Sequence, residues 1–315
     1  MSLTDLDRSS DRSPMARLSD ALGERIVPLA WANLVANIAI VITGGAVRLT
    51  GSGLGCPTWP QCTDGRWTTH PEQGLHGYIE FGNRMLTYVL VAIAVACWLA
   101  ARARRADHPR AVRLATIVAL GIPAQAIIGG ITVLTDLNPW IVALHLLISM
   151  AIVAVCVRLL DHLRGPERPA TPESVVRLGW ALALAGAVVL YLGTVVTGSG
   201  PHAGDENSPR NGLDPQLMSH VHAWAVYVLL ALTVALLWTA RRRRLVVLQQ
   251  AVTALLVVEL LQGVLGFVQY FTDVPALLVG IHMLGAGVFA ASLTAAVLAT
   301  RARVAAPVKD AELVA

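Results

Sequence analysis

The chain has 315 residues, of which 55% are hydrophobic and 14% charged, with a formal net charge of +4 and a mean hydropathy of +0.62. Soluble globular domains carry about a quarter of their residues as charged side chains, so this composition excludes a soluble enzyme and makes the lipid bilayer the solvent. The small positive balance serves membrane topology, and nucleic-acid binding is a poor reading of it.

Residues 1–25 are polar and rich in Ser, Asp and Arg, which predicts a disordered tail and no cleavable signal. Eight apolar runs follow, at 26–47, 78–101, 111–134, 139–160, 175–197, 218–240, 245–269 and 275–299. Each reaches the roughly 20 helical residues needed to cross a hydrocarbon core of about 30 Å. Twenty of the 24 Lys and Arg residues fall on one side of an eight-span arrangement; Arg48, Arg66, Arg84 and Arg210 lie on or near the other. By the positive-inside rule both termini are cytoplasmic in a multi-pass protein of the cell (inner) membrane.

The two halves repeat each other. Gln125 to His145 reads QAIIGGITVLTDLNPWIVALH and Gln262 to His282 reads QGVLGFVQYFTDVPALLVGIH, so Gln, Thr-Asp and His recur at an offset of 137. Thr50-Gly51-Ser52-Gly53 and Thr197-Gly198-Ser199-Gly200 close the first and fifth runs. The predicted fold is therefore an all-α polytopic membrane protein whose eight transmembrane helices form two four-helix bundle repeats of the same orientation. The repeats span 26–160 and 175–299, joined by a cytoplasmic linker at 161–174 and followed by a cytoplasmic tail at 300–315.

Among nine histidines, the membrane-embedded ones carry information. His145 lies six residues after Pro139 and His282 seven after Pro275, which places both about 10 Å below the outer helix end. His222 sits at similar depth in the sixth run. His222 and His282 make an imidazole pair suited to a six-coordinate haem between two helices. In the first half His145 faces a second run that offers His76, Glu80 and Asn83, which share a face if the helix extends back to His76. An isolated intramembrane His is as readily a hydrogen-bonded structural residue, but equivalent positions in a repeat favour ligation. His220 is read as structural.

Cys97 and Cys156 lie within spans and are read as small apolar residues. Cys56 and Cys62, in Cys56-Pro57-Thr58-Trp59-Pro60-Gln61-Cys62, lie on the oxidising side, where a disulfide persists. A loop staple is favoured over a redox role, and a zinc site with His70 and His76 has irregular spacing. Glu259 and Gln262 lie one turn apart in the seventh run, as a proton path or a helix contact.

The outer loop Thr50 to Cys62, the stretch Ile79-Glu80-Phe81-Gly82-Asn83-Arg84 and the repeated histidines together resemble the haem A synthase family over about Trp31 to Ala299. The Ala, Val and Arg content is similar to that of actinobacterial-type members. The resemblance implies an oxidoreductase that converts haem O to haem A for cytochrome oxidase by oxidising a ring methyl to a formyl group. It implies a haem b cofactor with His222 and His282 as axial ligands, and a substrate haem in the first half. There His145, with His76 or Asn83, would face the iron, and Glu80 would be the catalytic carboxylate. It also implies a disulfide between Cys56 and Cys62.

Two departures stand out. The family's Glu-x-x-His-Arg pattern has Asn83 at its His position, so either His76 replaces that ligand or His145 is alone. The loop 198–217 has no cysteine, which excludes a relay of two disulfides.

Glu80 is expected to deprotonate a water or stabilise positive charge beside the substrate methyl, its alternative being an ion pair with Arg84 at i, i+4. Arg48 and Arg84 are candidate partners for haem propionates, with interfacial snorkelling as the alternative. Expected partners are haem O, the farnesyl-transferring enzyme that forms it, cytochrome oxidase and the lipid bilayer; a homo-oligomer stays open. The rival function is a two-haem b-type cytochrome taking electrons from quinol, which calls for symmetric ligation in the two halves.

Overall fold

The computed structural model describes residues 21–303. Within them run α1 (Ile26–Leu49), α2 (Gly74–Ala103), α3 (Pro109–Leu134), α4 (Pro139–Arg164), α5 (Glu173–Ser199), α6 (Pro215–Arg242), α7 (Val246–Phe271) and α8 (Ala276–Ala299). All eight are long and apolar enough to cross a bilayer, and the chain is an all-α, multi-pass membrane protein.

Local chemistry sets the helix starts. Pro109, Pro139 and Pro215 each open a helix, where a missing N–H costs nothing. The Asn138 side chain accepts from the Trp140 N–H at 3.0 Å and Asp214 from Leu217 at 2.6 Å, capping α4 and α6. The α3–α4 and α7–α8 turns are built alike. Asp136 and Leu137 (φ 51° and 59°) and Asp273 and Val274 (φ 57° and 56°) are left-handed. The Leu137 N–H bonds the Thr132 carbonyl at 2.8 Å, and the Val274 N–H bonds that of Gln269 at 2.9 Å. Thr135 and Thr272 each hold the carbonyl four residues back at 2.7 Å, so the recurring Thr-Asp pair is the turn itself.

Several boundaries differ from those expected of the sequence. Residues 21–24 are helical, because Leu22 packs on the core; the rest of the expected disordered tail, 1–20, lies outside the described residues. A 3-10 turn at Pro71–Gln73 leads into α2, so His76 is helical. The α4 helix runs on to Arg164, shortening the expected linker to 165–172. In the expected C-terminal tail, Arg303 pairs its backbone with Arg168 through two 3.0 Å bonds, and residues 304–315 lie outside the described residues.

Within each half, consecutive helices pack side by side and the fourth returns to the first, giving a square. The diagonals, α2 with α4 and α6 with α8, do not touch. The halves meet where α8 packs on α1 and α4, and α4 on α5. One core cluster fills the first half, with fully buried Ala30, Cys97, Ala100, Ala111 and Cys156, small side chains that let helices approach closely. A second, leucine-rich cluster fills the other half. Leu120, Leu184, Trp224 and Leu277 point outward, as a lipid solvent requires.

Candidate functional site

Three histidines of the squares carry a buried Nδ1 with no hydrogen-bond partner. The Nδ1 atoms of His145 on α4, His222 on α6 and His282 on α8 are buried and unpartnered. A structural histidine in a low-dielectric interior would be hydrogen-bonded, since leaving the group unmet costs about 1–3 kcal/mol. These Nδ1 atoms therefore fasten no helix to its neighbour.

Each ring rests on a glycine of the preceding helix in the square. A Cβ at Gly129 would meet His145 Cε1 at 3.3 Å, one at Gly193 would meet His222 Cε1 at 3.4 Å, and one at Gly266 would meet His282 Cε1 at 3.8 Å. The recurring glutamines fix the backbone beneath His145 and His282. Gln125 Nε2 donates to the His145 carbonyl at 2.8 Å and Gln262 Nε2 to the His282 carbonyl at 2.9 Å. Gln125 also reaches Ser149 Oγ.

Helices α6 and α8 lie on a diagonal of the second square, so His222 and His282 stand on opposite helices of it. Two imidazoles with unpartnered Nδ1 atoms on opposite helices of one four-helix square form a donor set that fits a six-coordinate haem.

The first square differs. His76 is exposed at the outer end of α2, and its Nδ1 shares a 2.9 Å hydrogen bond with Ser52 Oγ. Asn83 Oδ1 accepts from Thr43 Oγ1 of α1 at 2.8 Å. Thus the α2 face bearing His76, Glu80 and Asn83 is tied to α1 and the first outer loop. His145 carries a buried, unpartnered imidazole nitrogen there, and His76 keeps its Nε2 outside the Ser52 bond.

Glu80 and Arg84 clasp the disulfide loop. Cys56 and Cys62 are bonded to one another, which removes both from any zinc site, and among the described residues no group of three or more His, Cys, Asp and Glu could hold a metal ion. The Cys56 N–H donates to Glu80 Oε2 at 2.6 Å. Arg84 donates to Glu80 Oε1 at 2.6 and 3.2 Å, and to the carbonyls of Cys56, Thr58 and Gln61 at 2.9, 3.0 and 3.1 Å. Those five bonds use every guanidinium N–H, so Arg84, a candidate propionate partner by sequence, is a loop holder in this arrangement. Arg48 is also engaged, donating to the carbonyls of His202 at 2.6 Å and Thr197 at 3.0 Å in the second half.

The clasp carries the loop to the first square. The Trp59 ring lies against Gly130, leaving no room for a Cβ, and Gly130 adjoins Gly129, the seat of His145. Gly55 in turn abuts the His76 backbone carbonyl so closely that only glycine fits. Trp59 and the seating glycines are not singled out by the sequence alone. Gly129 and Gly266 recur within the quoted repeat and are detectable there; the Trp59 contact has no local signal.

Other expectations find their places. His220 is exposed and lies 3.2 Å from the Tyr270 hydroxyl. Buried Glu259 accepts from Thr233 of α6 at 2.9 Å through Oε1, a helix contact, while its Oε2 has no partner.

Fold and site together define a multi-pass helical membrane protein with unpartnered imidazoles held inside two four-helix squares. The chain belongs to the COX15-CtaA family of cytochrome oxidase assembly proteins, whose profile matches residues 28–295. It is similar to a haem A synthase of Caulobacter vibrioides, 28% identical over 86% of this chain and 96% of that one. A haem A synthase of Listeria monocytogenes is 28% identical over 78% of this chain and 86% of its own length. One from Geobacillus thermodenitrificans is 35% identical over a shorter stretch, 44% of this chain and 43% of its own.

Proposed function

We propose that this chain is a haem A synthase, oxidising a ring methyl of haem O to a formyl group to give haem A for cytochrome oxidase. The observation that carries the reading is the unequal pair of squares: two buried, unpartnered imidazole Nδ1 atoms in the second, one in the first. In this reading His222 and His282 hold a resident haem b, and His145 receives the iron of the substrate. A quinol-oxidising cytochrome with two equivalent haems calls for matched ligand pairs, and the first square pairs buried His145 with an exposed His76 where the second has two buried imidazoles.

The chemistry asked of the protein is removal of electrons from an unreactive methyl group. Two successive hydroxylations with water-derived oxygen, each passing two electrons to an acceptor outside the chain and two protons to water, give a gem-diol that loses water to the aldehyde. A resident haem supplies one-electron redox chemistry when bound.

The chain's own residues orient and exclude. His145, seated on Gly129 and fixed by Gln125, sets the depth of the substrate. Trp59 closes the outer side of that square. Glu80 uses three of about four carboxylate lone-pair sites on Arg84 and the Cys56 N–H, leaving one on Oε2 to accept a proton from incoming water. The arginine distribution supports cytoplasmic termini, with the histidines toward the outer face.

Expression in a host that accumulates haem O, followed by extraction of the purified protein's haems, tests the proposal. Haem A or its hydroxymethyl precursor is expected; haem b alone would refute it.

A further inference from the structure

At the membrane face opposite the histidines, a cleft of about 1140 Å³ opens between the ends of α3, α4 and α8. Six arginines and two aspartates line it, a surplus of four positive charges. The cleft has a rigid back wall. Arg168 is buried, grips both Asp161 oxygens at 2.8 Å and donates to the Arg301 carbonyl at 2.9 Å. Arg303 donates to the carbonyls of Gly165 and His162, so these two arginines are structural.

Arg110, Arg113 and Arg158 are different. They are exposed, and among the described residues none has a hydrogen-bonding or ion-pair partner. Arg113 stands four residues inside α3 and Arg158 six residues from the end of α4, so both lie roughly 6–9 Å within their helices. At that depth an unpaired guanidinium faces the headgroup region, where an anion is the natural counter-charge. Below them the wall turns apolar, with Leu114, Ile117, Val155 and Leu298.

We propose that this cleft binds an anionic phospholipid, its phosphate between Arg113 and Arg158 and an acyl chain along the apolar wall. Charge complementarity selects the headgroup, since a basic cleft at the leaflet carrying most of the chain's arginines meets anionic lipid by default. The apolar wall selects a lipid over a free phosphate, which would leave those side chains without a partner. The site is independent of the haem reading, as it involves none of those residues.

The test uses the full chain purified in detergent, titrated with phosphatidylglycerol, phosphatidylcholine or inorganic phosphate, with binding read by native mass spectrometry and thermal shift. Saturable binding of phosphatidylglycerol, at least tenfold tighter than phosphatidylcholine, is expected. Arg113→Gln with Arg158→Gln should weaken it roughly thirtyfold, equivalent to about 2 kcal/mol. The control pair Arg241→Gln with Arg244→Gln, exposed at the same membrane face, should change it less than about threefold. Equal weakening by both pairs would mean diffuse surface charge and overturn the proposal. Inorganic phosphate binding as tightly as the lipid would reveal an anion site without lipid selectivity and would overturn it as well. Should the double variant fail to fold, equal affinity of the wild-type protein for the two lipids is sufficient to reject it.

Discussion

Arg84 and Glu80 stand one helical turn apart on α2 and are joined by a 2.6 Å ion pair, with side chains only 19% and 7% exposed. Through it the helix holds the disulfide loop by three backbone carbonyls and one backbone N–H.

Removing Arg84 leaves a buried carboxylate without its cation. Losing one member of such a pair costs roughly 3–5 kcal/mol, and Arg84→Ala should lower thermal stability accordingly. Arg84→Ala with Glu80→Gln should cost less than the sum of the two single changes, because the neutral amide needs no counter-ion. Additive losses in a denaturation series of the three variants would show that the pair acts as two independent groups.

Glu80→Gln alone keeps an acceptor for the Cys56 N–H but loses the site for a water proton. The variant should retain its resident haem and fall at least a hundredfold in haem A yield, the range spanned by general acid–base contributions. A yield within a few-fold of wild type would limit Glu80 to holding the loop.

The seating glycines make a graded prediction. Alanine at Gly129 or Gly193 would put a methyl 3.3 or 3.4 Å from an imidazole carbon, tight enough to displace the ring, whereas at Gly266 the 3.8 Å spacing is ordinary contact. Alanine is favoured over glycine within a helix by up to about 1 kcal/mol, so folding should survive all three. Reduced-minus-oxidised spectra should change for Gly193→Ala and stay near wild type for Gly266→Ala. Activity with a normal spectrum should fall for Gly129→Ala.

Replacing Cys56 and Cys62 together by serine opens a seven-residue loop. Chain-closure entropy alone puts the cost at about 2 kcal/mol, less than removing Arg84. A larger loss than that of Arg84→Ala, in the same melting assay, would reverse this order of importance.

Much of this is legible in the residues. Eight apolar runs and the recurring Gln, Thr-Asp and His are local signals, and each has a local cause: span length, a left-handed turn at Asp136 and Asp273, and a carbonyl fixed below His145 and His282. The roles of the arginines are not. Arg84 meets carbonyls 23 to 28 residues away and Arg48 carbonyls about 150 residues away, and neither periodicity nor hydropathy records where a loop folds back. His76 is a candidate ligand from its register with Glu80 and Asn83. Register on α2 is preserved, but that face turns to α1 and the loop, where Ser52 meets His76 Nδ1 and leaves Nε2 outside that bond. Bundle geometry, set by all four helices at once, decides which way a face points.

In the proposed function the two squares divide the labour, and paired histidine variants separate the two roles. His145→Ala and His282→Ala proteins, purified from a host that makes haem O, would have their haems extracted, identified and counted per chain. His145→Ala should retain one haem b per chain with no haem A, whereas His282→Ala should lose the resident haem and its bis-imidazole spectrum. Haem A recovered from the His145→Ala protein, or equal haem loss in both variants, would contradict that division of labour.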